Sequence, residues 1–301
     1  MLCGGCGIVL RGEKNMNRIV MLGSGTPTPT AERFGTSYVV EIGKECIMFD
    51  CGPSTTHKLV KAGLVPTQIS HLFFTHHHFD HNADIPCFFL CRWDQSAGRY
   101  PDLEVYGPKP TKLIMERLFG KKGAFYFDLY ARVNYSASQK VYVNRGGKLP
   151  RLLPSLKVKD LKGNEVVKGN GWKVTAVNNV HAQPFLEGFT YRLDSKAGSV
   201  LITGDTQICK NVVDLARGVD VIVCMCWNFQ ELMDADGEAP GQCGTAMAAK
   251  LAKEAGAKKL VLTHTGPFLC RPGNVKKALK QVKKIFKGNV VFAKELLEIR
   301  F

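Results

Sequence analysis

The order of apolar segments in this sequence predicts an α/β sandwich with one core. Strand-like segments come in a run near the N-terminus and alternate with helical segments toward the C-terminus, which favours a sandwich over a doubly wound parallel sheet. With 301 residues the chain is long enough to bury a large core, and no Pro/Ser-rich linker divides it. We therefore expect one domain over residues 16–301, preceded by a disordered extension over residues 1–15.

The first half of the chain is expected to supply a run of strands and one helix. Two β-type apolar runs are separated by a Gly-Lys pair at 43–44, which predicts a hairpin turn. Residues 54–63 predict a helix, because Ser54 is a typical cap and a glycine ends the segment. The apolar segment 71–75 predicts a strand that leads into a histidine cluster. Residues 92–170 have the least regular pattern, and we expect them to form an inserted lid or wall over the functional site.

In the second half, short apolar runs bounded by glycine or polar residues predict further strands. These runs cover residues 173–178, 189–193, 199–203, 219–224, 260–263 and 290–292. An alanine-rich segment over 245–255 ends at Gly256 and predicts a helix. Six lysines at helical spacing predict a last helix over 275–287 with a solvated basic face, and docking of a polyanion is the alternative role of that face.

Composition and charge narrow the class of protein. A hydrophobic fraction of 45% excludes a disordered chain, a collagen and a coiled coil. No apolar run reaches the ~18 residues of a membrane-spanning helix, and residues 1–15 lack the apolar core of a secretory signal. Eleven scattered cysteines predict free thiols in a reducing, cytoplasmic compartment, with no assigned role for the Cys3 and Cys6 pair. The net charge of +15 favours anionic partners.

The most informative segment holds four of the eight histidines within residues 76–81. It follows a predicted strand directly, so that His76 and His78, two residues apart, can share one direction in an extended turn. Asp80 and His81 can then turn toward a second ion beside the first. Imidazole suits zinc, and one carboxylate for each ion reduces the charge. This segment therefore predicts a metal site rather than a histidine-rich surface loop.

Three further candidate ligands, His181, Asp205 and His264, each follow an apolar strand, and the loops after such strands converge on one site. The seven candidates divide into His76, His78 and His181 on one ion and Asp80, His81 and His264 on the other, with Asp205 bridging the two. We expect His57 to be an ordinary histidine and His77 to be no ligand, because it points away from its neighbours.

These motifs resemble a known family. The HxHxDH pattern after a strand, a later histidine, a Gly-Asp-Thr and a final Thr-His resemble the metallo-β-lactamase fold superfamily of dinuclear metallohydrolases. The segments LGSGTPTPTAERFGTSYVV and FDCGPST resemble its ribonuclease Z branch. The resemblance covers residues 17–90 and 172–270, and it implies an αββα sandwich that holds two Zn²⁺, although Mn²⁺ and Fe²⁺ also occupy such sites. Type III arylsulfatases and other small-ester hydrolases are similar too, so the fold alone does not set the substrate.

Three departures from the ribonuclease Z pattern bear on the substrate. That family carries a His-Glu-Ala-Thr motif for proton transfer where residues 224–227 here read Cys-Met-Cys-Trp. A Ser/Arg/Tyr stretch usually follows the last metal histidine, and residues 265–268 here read Thr-Gly-Pro-Phe. The family's tRNA-grasping arm lies between its third metal histidine and its bridging aspartate, but His181 and Asp205 are only 24 residues apart. Because of these departures, the sequence favours hydrolysis of a small ester over cleavage of pre-tRNA.

Two adjacent cations predict hydrolysis, because a water held between them has its pKa lowered toward ~7 and becomes hydroxide. We expect Asp80 to orient this nucleophile as well as to bind metal. Arginines of the insertion can bind a substrate anion through paired hydrogen bonds, and side chains after the 219–224 strand can line the pocket. The weaker substrate-binding candidates are Arg132, Arg145, Arg151, Trp227 and Asn228.

The sequence thus predicts a dinuclear zinc hydrolase that uses a metal-bridged hydroxide on a small anionic or aryl ester, such as a sulfate, phosphate, lactone or thioester. The alternative is a ribonuclease Z-like 3′ pre-tRNA endonuclease, with RNA as partner. A binding module without catalysis is disfavoured because no metal ligand is missing. The resemblance also implies a homodimer, and nothing in the sequence indicates a membrane partner.

Overall fold

The structure, a computed structural model, describes residues 17–301. The predicted extension over residues 1–15, with its Cys3 and Cys6 pair, lies outside the described residues. The strands are β1 (Arg18–Ser24), β2 (Thr36–Ile42), β3 (Glu45–Phe49), β4 (Ile69–Phe73), β5 (Glu104–Gly107), β6 (Lys157–Asp160), β7 (Val166–Gly169), β8 (Trp172–Asn178), β9 (Phe189–Ser195), β10 (Gly198–Ile202), β11 (Val221–Met225), β12 (Lys259–Thr263), β13 (Asn289–Phe292) and β14 (Leu297–Arg300). The helices are α1 (Thr55–Lys61), α2 (Phe79–Asn82), α3 (Ile85–Ser96), α4 (Thr111–Phe119), α5 (Tyr126–Asn134), α6 (Ser136–Asn144), α7 (Lys210–Ala216), α8 (Gln230–Asp236), α9 (Thr245–Ala255) and α10 (Pro272–Ile285).

The strands form two mixed sheets of seven strands each. The first has the order β14-β1-β2-β3-β4-β5-β6, antiparallel from β14 to β3 and parallel from β3 to β6. The second has the order β13-β12-β11-β10-β9-β8-β7, parallel from β13 to β10 and antiparallel beyond. Neighbours along the chain are mostly neighbours in a sheet, which keeps the connections short.

Apolar residues on both faces of the central strands explain the layers. Ile19 and Met21 of β1 join a core cluster with residues of both sheets, whereas Val20 and Leu22 join a second cluster with α1, α3 and α4. Since successive strand residues point to opposite faces, β1 is covered by the other sheet on one face and by helices on the other. A third cluster packs α7, α9 and α10 on the outer face of the second sheet. The fold is therefore an αββα sandwich, as the sequence predicted.

Residues 92–170 are more regular than expected. β5 and β6 extend the first sheet and β7 pairs with β8 of the second, so these strands belong to the sandwich itself. The alternation of charged and apolar residues in Lys-Val-Lys-Asp of β6 is typical of a strand that is half-buried on one face only, and it obscured this strand in the sequence. The helices α4, α5 and α6 form the part of this segment that lies outside both sheets.

Two smaller expectations were wrong. Ser54 precedes α1 in a left-handed conformation and makes no side-chain cap bond. The carboxylate of Asp84 caps this helix instead, accepting from the Thr56 amide at 2.6 Å and from its hydroxyl. The basic helix α10 starts at Pro272, earlier than predicted, because a proline fits the first turn.

Within residues 17–301, no helix combines the length and apolar character needed to cross a bilayer.

Candidate metal centre

The seven predicted ligands come from loops at one end of the two sheets. The loop after β4 carries His76 and His78, and the short helix α2 that follows carries Asp80 and His81. The other three follow strands of the second sheet: His181 comes after β8, Asp205 after β10 and His264 after β12. The structure brings all seven together as two groups of possible metal ligands.

The first group contains three imidazoles. The Nδ1 atom of His78 lies 3.0 Å from His76 Nε2 and 3.2 Å from His181 Nε2. An oxygen of Asp205 lies 4.0 Å from His76 Nε2 and 3.9 Å from His181 Nε2. These atoms therefore surround a space of the size of a cation, with nitrogen donors of the kind that suits zinc.

The second group lies on the other side of Asp205. The Nε2 atom of His264 is 3.1 Å from Asp80 Oδ2 and 3.1 Å from Asp205 Oδ2. The Nε2 atom of His81 is 3.5 Å from Asp80 Oδ2 and 3.6 Å from Asp205 Oδ1. Asp205 thus contacts both groups, which is the geometry expected of a carboxylate shared by two ions.

Unpaired polar atoms test whether these residues fit metal ions. The Oδ1 atoms of Asp80 and Asp205 and the Nε2 atom of His81 are buried and have no hydrogen-bond partner within residues 17–301. Leaving such atoms unpaired costs free energy, so groups of this kind are usually paired or bind a metal. Divalent cations would satisfy all three, and the residues therefore fit a two-metal centre.

Burial and neighbouring charges shift the pKa values of the side chains in this site and so set their protonation states. Burial holds the pKa of His76 well below its usual value, so its imidazole is neutral. Burial raises the pKa of Asp205, but the neighbouring His264 and His81 outweigh it and hold that pKa well below its usual value. Burial lowers the pKa of His81, but the carboxylates of Asp205, Asp50 and Asp80 outweigh it and hold that pKa well above its usual value. Ionised carboxylates and a neutral His76 are the forms that bind metal, and a cation would displace the proton of His81.

Two residues that sequence reasoning missed hold His81 and the loop after β4 in place. Asp50 Oδ2 lies 2.8 Å from His81 Nδ1, and its two oxygens accept from the amide of Thr75 at 2.7 Å and from its hydroxyl at 2.8 Å. The Thr75 hydroxyl lies 3.1 Å from His76 Nδ1. With Nδ1 of His81 bound to Asp50, its Nε2 faces the site, which is how outer carboxylates commonly orient metal-binding histidines. Asp50 follows a buried strand, as Asp205 does, and that position was the available signal.

The second ring nitrogen of His181 is bound outside the site, and two other histidines lie away from it. His181 Nδ1 donates to the carbonyl of Gly241 at 2.8 Å, which leaves its Nε2 for the site. His77 lies outside the cluster, with its Nε2 atom 2.7 Å from Thr111 Oγ1, and burial lowers its pKa to about 4. His57 is exposed on α1. His57 and His77 thus lie outside the two groups of possible metal ligands.

Within residues 17–301, the weaker substrate-binding candidates belong to neither group of possible metal ligands, and their side chains contact other residues. Arg132, Arg145 and Arg151 gather around one carboxylate, that of Asp94 on α3, at 3.3, 2.6 and 2.8 Å. These pairs give the arginines a role in joining the helical segment to α3. Two further candidates follow β11: Trp227 Nε1 donates to Glu238 at 3.0 Å, and Asn228 Oδ1 accepts from the Phe229 amide at 2.9 Å.

Comparison with known proteins identifies the family. The family model described as the metallo-beta-lactamase superfamily matches residues 30–217. The chain belongs to the metallo-beta-lactamase superfamily. Membership implies a divalent-metal site, and together with the relatives below it identifies the chain as a metal-dependent hydrolase.

Relatives and solved structures of this superfamily cover almost the whole chain. A ribonuclease Z of Methanosarcina mazei is 28% identical, over 94% of this chain and 98% of that protein. The metallo-beta-lactamase fold protein YhfI from Bacillus subtilis superposes with a TM-score of 0.69 at 19% sequence identity, over 96% of this chain and 100% of that protein. The short form of human tRNase Z superposes with a TM-score of 0.64 at 22% sequence identity, over 94% of this chain and 98% of that protein. At these identities the structures establish the fold.

We predict that the purified protein holds about two divalent ions per chain, as counted by mass spectrometry of the metals. Asp205→Ala should lose both ions, because its carboxylate lies between the two ligand groups. His57→Gln is the matched control and should keep both. Retention of two ions by Asp205→Ala would rule out the bridging assignment.

A second prediction concerns Asp50, which orients His81 without belonging to either ligand group. Asp50→Asn should raise the dissociation constant of the bound metal about 10- to 100-fold, the usual effect of losing such an outer carboxylate. Competition with a chelator measures this constant, and circular dichroism checks that the variant is folded. An unchanged metal affinity in a folded variant would show that Asp50 supports the structure only.

Proposed function

We propose that this chain is a metal-dependent phosphodiesterase that cleaves RNA in the manner of a ribonuclease Z. The observation that carries the proposal is the similarity to ribonuclease Z sequences over nearly the full length of both chains. From the sequence motifs alone, hydrolysis of a small ester was favoured over this activity. Full-length similarity carries more weight than the local departures, because it extends over 94% of this chain and 98% of each relative, whereas each departure concerns one short segment.

The metal-binding roles in this proposal follow the two groups of side chains. His76, His78 and His181 would hold one ion, Asp80, His81 and His264 the other, and Asp205 both. Zinc is the metal that this donor set suits best, with manganese and iron as alternatives. When bound, such ions lower the pKa of water and stabilise the charge that develops on the reacting oxygens.

Asp80 is the catalytic residue that we propose. Its Oδ2 atom is engaged by His264 at 3.1 Å, whereas Oδ1 is buried without a hydrogen-bond partner within residues 17–301. The carboxylate oxygen of Asp80 that does not bind metal can accept a hydrogen bond from the attacking water and orient it. The residue thereby combines orientation of the nucleophile with metal binding, as the sequence suggested.

RNA binding by this chain requires surfaces other than an arm between His181 and Asp205. The hairpin of β9 and β10 fills that interval and pairs within the second sheet. One basic surface is the outer face of α10, where Lys276, Lys280 and Lys283 are exposed along one side, and the exposed Lys287 follows the end of the helix. Such a face attracts phosphates without reading sequence.

A second candidate function is hydrolysis of a small phosphate, sulfate or similar ester with a good leaving group. The observation in its favour is the lack of an accessible proton donor in residues 224–228, at the end of β11 and directly after it. Cys224 and Cys226 are fully buried, and burial holds the pKa of the Cys226 thiol well above its usual value. With Trp227 and Asn228 bonded elsewhere, no acid from this segment can protonate a departing alkoxide.

Incubation with a pre-tRNA that carries a 3′ trailer tests the proposal directly. We expect metal-dependent removal of the trailer, and Asp80→Asn should slow it at least about 100-fold, the scale of losing a general base. His57→Gln should cleave at the normal rate. If the protein with two bound ions hydrolyses a chromogenic phosphodiester but leaves the pre-tRNA intact, the second candidate replaces the first.

A related prediction uses small phosphodiesters that differ in their leaving group. Because residues 224–228 supply no acid, turnover should rise steeply as the pKa of the leaving group falls. Steady-state rates for a series of substituted aryl and alkyl esters give the slope. A flat dependence would mean that some other residue protonates the leaving group.

A further inference from the structure

A cavity of about 630 Å³ lies between the C-terminal end of α3, the C-terminal half of α6 and the segment from residue 148 to 157. Its volume falls in the range of small-molecule sites. None of the seven metal-site residues lines it. Along α3, the distance from Ile85, which follows the metal loop, to Ser96 at the cavity is roughly 16 Å at 1.5 Å per residue. The cavity is therefore separate from the metal centre.

Its lining carries an excess of positive charge. Arg99, Lys148 and Lys157 line the cavity, are exposed, and make no ion pair within residues 17–301. Asp102 is the one carboxylate among the lining residues. Unpaired cations around a concave surface attract a small anion, and arginine and lysine are the usual partners of phosphate.

Aromatic side chains form another part of the wall. Trp93, Tyr100 and Tyr142 all line the cavity, and Tyr100 has 48% of its surface exposed. The Arg99 guanidinium lies 5.9 Å from the centre of the Tyr100 ring. An exposed ring beside a cation offers a stacking surface to a flat group and a charge to an attached anion.

Arg151 provides a further, buried polar group at this wall. Its guanidinium lies between the rings of Trp93, at 4.1 Å, and Tyr142, at 5.0 Å, and its Nη2 atom donates to Asp94 at 2.8 Å. The residue is only 5% exposed, and its Nε–H has no acceptor within the described part of the chain. A buried donor without a partner at the edge of a cavity can be satisfied by a ligand that carries acceptors.

We infer that this cavity binds a nucleotide unit, a phosphate with its ribose and base. Arg99 and Lys148 hold the phosphate, Tyr100 stacks on the base, and Asp102 accepts from ribose hydroxyls or a base amino group. A simple anion would gain nothing from Tyr100 and would be repelled by Asp102, whereas a nucleotide uses both. The unit comes either from single-stranded RNA or from a free mononucleotide. The inference concerns binding alone, so it does not depend on the proposed RNA cleavage.

Binding to the intact protein tests the inference. Isothermal titration calorimetry measures the affinity for the four ribonucleoside monophosphates and for inorganic phosphate, and fluorescence anisotropy measures that for a labelled hexauridylate. Arg99→Gln/Lys148→Gln should raise the dissociation constant of the bound nucleotide about tenfold or more, the effect of losing charged hydrogen bonds. Tyr100→Leu should weaken nucleotide binding and leave binding of inorganic phosphate unchanged.

Two controls locate the ligand. Lys250→Gln/Lys253→Gln removes the same charge from the exposed face of α9 and should leave the affinity unchanged. Asp205→Ala should also leave the affinity for the four mononucleotides unchanged, because the cavity is separate from the metal centre. Loss of binding in Asp205→Ala but not in Arg99→Gln/Lys148→Gln would place the nucleotide at the metal centre and overturn the inference, as would failure of the unaltered protein to bind any of these probes.

The two sources of the nucleotide are distinguished by the same titrations. If hexauridylate binds more tightly than uridine monophosphate, with a steep salt dependence that the double variant reduces, the cavity is a subsite for RNA. If the monophosphate binds at least as tightly, the ligand is a free nucleotide. Turnover of a chromogenic phosphodiester should be unaffected by Arg99→Gln/Lys148→Gln in either case, since neither residue belongs to the metal centre.

Discussion

The site depends on the electrostatic repulsion among three buried carboxylates, those of Asp50, Asp80 and Asp205. They share a small volume with imidazoles, and Asp205 lies within 4.0 Å of a nitrogen of His76, His81, His181 and His264. Burying such charges is unfavourable unless cations or hydrogen bonds compensate them. Protons on the histidines can do so, and divalent ions do it with two charges each. The requirement for compensation explains why the donors are held so close and why the same residues suit metal ions.

The fold meets this requirement by bringing the loops of two sheets together at one end. Strand β4 belongs to the first sheet and β8, β10 and β12 to the second, and the loop after each carries a ligand. Close backbone packing keeps the first loop in place: a side chain at Gly52 would put its Cβ atom 2.1 Å from the carbonyl of Asp80. The glycine of the FDCG segment therefore sets how near α2 lies to β3, and through it the position of Asp80 and His81.

Local pattern was enough for some of these features and insufficient for others. The strands that bear ligands were predictable, because each is a short apolar run that ends in a polar residue, and the αββα layers followed from the family resemblance. The contact of Asp50 with His81 spans 31 residues of sequence, and no local pattern reports it. The same limit applies to Asp94, whose three arginine partners come from α5 and from the segments after α6. The short strand β6 was hidden by its charged residues, and β7 has only four residues, most of them exposed. The pairing of both strands is fixed by the neighbouring strand rather than by their own sequence.

Helix α3 connects the metal centre to the cavity at its C-terminal end. It begins one residue after Asp84, which caps α1, and its last turns carry Trp93 and Asp94, so the cavity is fixed to the same rigid element as the metal loop. A ligand bound in the cavity would lie at a constant distance from the metal centre, a distance that a few linked nucleotides can cover. If the chain cleaves RNA as proposed, it needs a surface other than an arm between His181 and Asp205 to hold the RNA in register with the reacting phosphate. A site fixed to α3 can supply that register because a helix of twelve residues bends little over its length.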